Sequence, residues 1–117
     1  MIYKQETFIH KATNETAISA GAVAVFQDVV NAEANNNLPH NALTLSNQSD
    51  TCELFIFLDD ASDLTKPDYI LYPNVNMGIK YEEGINYHTI FVKNTHAVDD
   101  VAIGELKVRI STNKQVK

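Results

Sequence analysis

Leu106, Val108 and Ile110 alternate with Lys107 and Arg109 along residues 105–111. Successive side chains point to opposite sides only in an extended strand, so this segment predicts a strand with one dry and one wet face. Two further runs are aromatic and branched. Residues 52–58 read Cys-Glu-Leu-Phe-Ile-Phe-Leu, and residues 85–93 read Ile-Asn-Tyr-His-Thr-Ile-Phe-Val-Lys. Weaker strand patterns fall at 6–11, 22–30, 42–47, 69–72 and 77–82. Turn chemistry separates them: Ser19-Ala20-Gly21, Lys66-Pro67-Asp68, Pro73-Asn74 and Glu82-Glu83-Gly84. Gly84 can take a positive φ without steric penalty. Eight short strands punctuated in this way predict an all-β fold, an antiparallel β-sandwich of jelly-roll or immunoglobulin-like type.

Residues 17–33 are ambiguous because alanine recurs at 17, 20, 22, 24 and 32. A strand is expected there rather than a helix. Val23, Val25, Val29 and Val30 are β-branched, and Gly21 interrupts a helix early. The expected organisation is an N-terminal segment at 1–21, serving as an arm or a first strand, a sandwich at 22–111 and a basic tail at 112–117. Residues 31–41 hold five asparagines and Pro39 and predict a surface loop. Leu43-Thr-Leu-Ser-Asn47-Gln-Ser and Ile90-Phe-Val-Lys-Asn94-Thr-His share the outline of a strand that breaks at asparagine. A duplication would leave such an echo, and so would chance.

The 117 residues allow one domain, and 44% hydrophobic content suffices for one core. A net charge of −6 argues against a general nucleic-acid binder, which needs clustered lysine and arginine. A lone cysteine, Cys52, excludes an internal disulfide and a four-cysteine zinc site, and it reads as a small core hydrophobe. The longest stretch without a polar side chain, residues 20–26, is far short of the about 20 residues of a membrane helix. Residues 1–10 carry Lys4, Glu6 and His10 and no apolar signal core, so synthesis in a cytoplasm is expected.

Catalytic patterns are missing. There is no Gly-x-Ser-x-Gly elbow, no phosphate-binding Gly-rich loop and no His-Glu-x-x-His. The expectation is a protein that is not an enzyme and uses no cofactor. His88 and His96 could meet in space, but the plainer reading puts one on a strand face and the other in a loop. Asp59-Asp60-Ala-Ser-Asp63, Glu82-Glu83 and Asp99-Asp100 could offer oxygens to calcium; without the Asp-x-Asp-x-Asp-Gly spacing they read as a solvated rim. Two glycosylation sequons, at Asn14 and Asn47, arise easily among 12 asparagines.

The informative feature is the two-sidedness of residues 52–58 and 87–93. Leu54, Ile56 and Leu58 lie on one side, and Phe55 and Phe57 on the other. Ile90 and Val92 likewise oppose Phe91. A free-standing sandwich should show water one polar face. Either the same chain covers Phe55, Phe57 and Phe91, or those rings meet another subunit. Lys107 and Arg109, with Lys114 and Lys117 after them, place four of the nine basic residues at the end of an acidic chain. They suit charge-matched docking onto an acidic partner. A second reading, a carbohydrate- or ligand-binding sandwich, would use Tyr69, Tyr72, Tyr81 and Tyr87 as stacking surfaces.

Residues 43–110 run as strand, Asn47-Gln-Ser, strand, then Tyr72-Pro-Asn to Glu82-Glu83-Gly84. They continue through Tyr87-His-Thr-Ile-Phe-Val-Lys-Asn94-Thr and end on Ala102-Ile-Gly-Glu-Leu-Lys-Val-Arg-Ile110. This resembles the small head-decoration and auxiliary capsid proteins of tailed bacteriophages. The resemblance is one of pattern and brings no functional residues with it. It implies a virion protein that binds the major capsid protein or other virion proteins, without catalysis, nucleic-acid binding or membrane contact. It fits a homo-oligomer, with Phe55, Phe57, Phe91, Lys107 and Arg109 as partner-binding candidates.

Overall fold

The computed structural model describes residues 4–28 and 38–116. Eight strands follow in order: β1 Lys4–Thr13, β2 Val23–Gln27, β3 Ala42–Asn47, β4 Leu54–Leu58, β5 Tyr69–Leu71, β6 Asn76–Ile79, β7 Thr89–Asn94 and β8 Leu106–Val116. They form two four-stranded sheets, β1-β8-β3-β6 and β2-β7-β4-β5. Every pairing is antiparallel. Consecutive strands switch sheets at every step except from β4 to β5, the order of an eight-stranded jelly roll, which decides between the two expected sandwich types. Adding four to each strand number of the first sheet, cyclically, gives β5-β4-β7-β2, the second sheet read backwards.

The alternation read from the sequence sets the core. Leu43, Leu45, Leu106, Val108 and Ile110 point inward from the first sheet, and Leu54, Ile56, Leu71, Ile90 and Val92 from the second; none is more than 2% exposed. Register aligns them: Leu43 opposes Ile110 and Ile79, and Ile56 opposes Val92. Ile18, Cys52, Tyr87 and Val101 close the core between the sheets.

The stretch 17–33 forms strand from Val23 to Gln27; residues 29–33 lie outside the described residues, as do 31–37 of the asparagine loop. The N-terminal segment takes the first-strand form of its two expected ones, and three boundaries need correction. The N-terminal segment is part of the sandwich: β1 forms an edge of the first sheet, and Ile18 bridges to Val101. The basic tail is strand, because β8 runs on to Val116 and pairs there with Lys4 on β1. Strand β7 starts at Thr89, not at 85. Tyr87 makes only an isolated bridge to His40, and the backbone of His88 bonds to the Asp59 carboxylate. The run 77–82 also ends early. The Glu83 carboxylate takes the Lys80 N–H at 2.7 Å, which bends Tyr81–Glu83 into a 3-10 turn closed by Gly84 at φ 80°.

Candidate functional site: two opposed faces

Outside the core, each sheet turns a different chemistry outward. On the second sheet the odd-numbered positions of β2, β4 and β7 point away from the core, together with Ile70 on β5. Register places Val25, Phe91 and Phe57 in one row across three strands. The next row is Val23, Lys93, Phe55 and Ile70. An outer sheet face in water ordinarily carries polar groups; these two rows carry six apolar side chains around a single lysine, and the polar pair Gln27 and Thr89, hydrogen-bonded at 3.0 Å, lies beyond them. Val25 is 54% exposed, Ile70 41% and Val23 37%. Phe55 and Phe91 are half-buried. Lys93 can lay its methylene stem along this strip and keep its ammonium in water.

Phe57 needs correction as a contact residue. It is 1% exposed within the single chain, so its ring is private packing and cannot meet a partner. The exposed part of the strip comes instead from Val23, Val25 and Ile70. Their signal was present in the sequence as the i, i+2 pair of valines and an isoleucine between Tyr69 and Leu71, but only strand order shows that they join the phenylalanines.

Lys107 and Arg109 lie on the other sheet, so the five candidates do not form one site. Arg109 stands directly opposite Lys11 on β1 and Thr44 on β3; Lys107 stands opposite Thr13 and Ser46. These side chains surround a shallow concavity of about 550 Å³ with Glu15 at its rim. Lys11, Lys107 and Arg109 take part in none of the ion pairs within 4.0 Å among the described residues. Like charges directly opposed across two strands are unfavourable. Nothing local in the sequence shows that residue 11 pairs with residue 109, so only strand order joins Lys11 to this cluster.

The remaining groups read as structure. Asp60 and Asp63 are exposed and held below the usual carboxylate range by hydrogen bonds from Ser62 and Thr65. Asp59 accepts the N–H of His88 and of Thr89, each at 2.8 Å, and Asp68 accepts that of Leu58 at 2.7 Å. Each of these four carboxylates thus accepts a backbone N–H of the same chain, while Asp60 and Asp63 stay exposed to solvent. His88 and His96 sit before and after β7, at opposite ends of the strand, and do not meet. His96 Nδ1 accepts the N–H of Asp99 at 2.7 Å. Among the described residues no group of three His, Cys, Asp or Glu side chains is placed to hold a metal ion.

The His40 ring is buried and shares a 2.8 Å hydrogen bond between Nδ1 and Thr112 Oγ1, while its Nε2 has no partner among the described residues. Burial holds its pKa below the ordinary value, opposed in part by the Asp28 carboxylate. Thr112 is 4% and His40 2% exposed, so this hydroxyl–imidazole pair is closed to any substrate. Cys52 is fully buried. Tyr69, Tyr72, Tyr81 and Tyr87 make no common platform. Tyr87 is buried, and its hydroxyl donates to the Ala42 carbonyl. Tyr69 points toward the core, whereas Tyr72 and Tyr81 lie at opposite ends of the sandwich.

No protein-family model matches this sequence, and no curated protein matches it.

Proposed function

We propose that this chain is a non-enzymatic structural protein of a phage virion, attached to the shell or to a neighbouring subunit through the outer face of its second sheet. The observation that carries this reading is the strip of Val23, Val25, Phe55, Phe91 and Ile70, apolar where a solitary sandwich would be polar. A jelly roll is also an architecture that capsid proteins use, although the same fold serves lectins and cupins and carries no function by itself. Many copies on one shell bind durably even if each contact is weak, because neighbouring sites raise the effective concentration.

Mass spectrometry of purified particles from the genome that encodes this chain tests the reading. The wild-type chain is expected in many copies per particle. A Val25→Asp, Ile70→Asp variant is expected to fold, as judged by far-ultraviolet circular dichroism, and to be lost from the particles. Particles that lack the wild-type chain, or that retain the folded variant at full copy number, defeat the proposal.

A further inference from the structure

We propose that the outer face of the first sheet docks a second copy of this chain, head to tail, taking carboxylates of that copy's 59–68 loop between Lys11, Lys107 and Arg109. The inference stands apart from the virion reading, since the apolar face of the second sheet plays no part in it.

The receiving side is built by register. Lys11 and Arg109 are forced opposite each other on adjacent strands, and Lys107 follows two residues along the same face. No carboxylate of the described residues lies within 4.0 Å of any of them. An incoming carboxylate would turn this repulsion into two or three charge-assisted hydrogen bonds. Thr13, Thr44 and Ser46 add hydroxyls around the concavity. Gly78, opposite Thr44 on β6, has open space where a side chain would stand.

The chain's own charge selects the occupant. Without these three residues it carries six basic groups against 15 acidic ones, so most of what a second copy can present is negative. The 59–68 loop is its densest acidic segment. Asp60 and Asp63 stand exposed there, with Lys66 as the loop's one cation, 3.9 Å from Asp63. The loop joins β4 to β5 in the second sheet, whereas the cationic face belongs to β1, β8 and β3 in the first. Two cationic faces repel each other, so this surface does not meet its own copy face to face, and the loop that would fill it belongs to the other sheet. The contact is heterologous, and repeating it gives a ring or an open chain.

Sedimentation velocity of the full chain in about 10 mM and about 1 M salt tests this, because the screening length falls from about 30 to about 3 Å between them. Self-association is expected at low salt and loss of it at high salt. Lys11→Glu with Arg109→Glu, and separately Asp60→Lys with Asp63→Lys, should each lower the low-salt association constant by about tenfold or more. An equimolar mixture of the two double variants should associate again, because the reversed face then meets a reversed loop. A wild-type chain that stays monomeric at low salt overturns the proposal whatever the variants do. Association that survives both high salt and charge reversal also overturns it, and is what the apolar face of the second sheet would produce instead.

Discussion

Asn47 and Asn94 do the same work at matching places in the two sheets. Each is the last residue of a six-residue strand, β3 and β7. Each accepts the N–H two residues ahead on its Oδ1, from Ser49 at 3.1 Å and from His96 at 3.0 Å. Each donates from Nδ2 to the carbonyl five residues ahead, Cys52 and Asp99, both at 2.8 Å. In the ladders Asn47 opposes Leu106 and Asn94 opposes Leu54. The faint sequence echo is therefore a structural equivalence, and it coincides with the shift by four that maps one sheet onto the other. Asn14, after β1, anchors the same end: its Nδ2 reaches Ala102 O at 2.8 Å and its Oδ1 takes the Leu106 N–H at 3.0 Å.

Replacing either asparagine should therefore loosen the loops at that end. Asn47→Ala leaves buried carbonyls without donors and is expected to destabilise the chain by about 1–3 kcal/mol. Asn47→Asp should be worse, because a carboxylate cannot donate and would set a negative charge against the oxygens of Cys52 and Tyr72. Asn94→Ala and Asn94→Asp should follow the same order. Urea unfolding of the four variants checks both the magnitudes and the ranking.

Phe57 and Val25 share the outer face of the second sheet but should respond in opposite ways. Phe57→Ala removes a ring that is 1% exposed and should destabilise by about 3–5 kcal/mol. Val25→Asp changes a side chain that is 54% exposed and should shift stability by no more than about 0.5 kcal/mol. Chemical denaturation with unchanged m-values would separate the packing residue from the surface residue.

How much of this was legible in the sequence follows from what is local. Alternation and turn residues marked all eight strands, because a strand's two faces and its ends are written in neighbouring residues. Strand order was not legible: Thr13 pairs with Lys107 and Lys4 with Val116, and separations of that size leave no local trace. The same gap hid Lys11 from the cationic cluster and split the phenylalanines from Lys107 and Arg109. Tyr87 read as strand because it continues an aromatic alternation, yet it is held by a core contact and an isolated bridge. The sequon matches at Asn14 and Asn47 fall on buried amides committed to the backbone, so they are loop anchors in the folded chain.

His40 should make the fold acid-sensitive. Burial lowers its folded-state pKa beneath the ordinary 6.5. Below that value the unfolded chain takes up a proton that the folded chain resists, so stability falls as pH drops, and the contribution is fully present only above it. Thermal melts between about pH 7.5 and about pH 5 should show a falling Tm. A His40→Gln variant has no imidazole to protonate and should show a shallower slope across that window. An equal slope would remove His40 as the cause.

Lys11→Glu should raise stability while it lowers association. In the free chain the substitution replaces a like-charged pair with an opposite-charged one across β1 and β8, at the position facing Arg109. The expected gain is about 0.2–1 kcal/mol, as for other cross-strand charge pairs. Both groups lie at the surface, so the gain should fade in high salt as the interaction is screened. Arg109→Glu should behave alike by restoring the pair with Lys11, whereas the double reversal opposes two negative charges and should return stability to near the wild-type value. Urea unfolding of the three variants at low and high salt checks the pattern, and a gain in the double variant as large as in either single one would mean that the Lys11–Arg109 opposition is not its source.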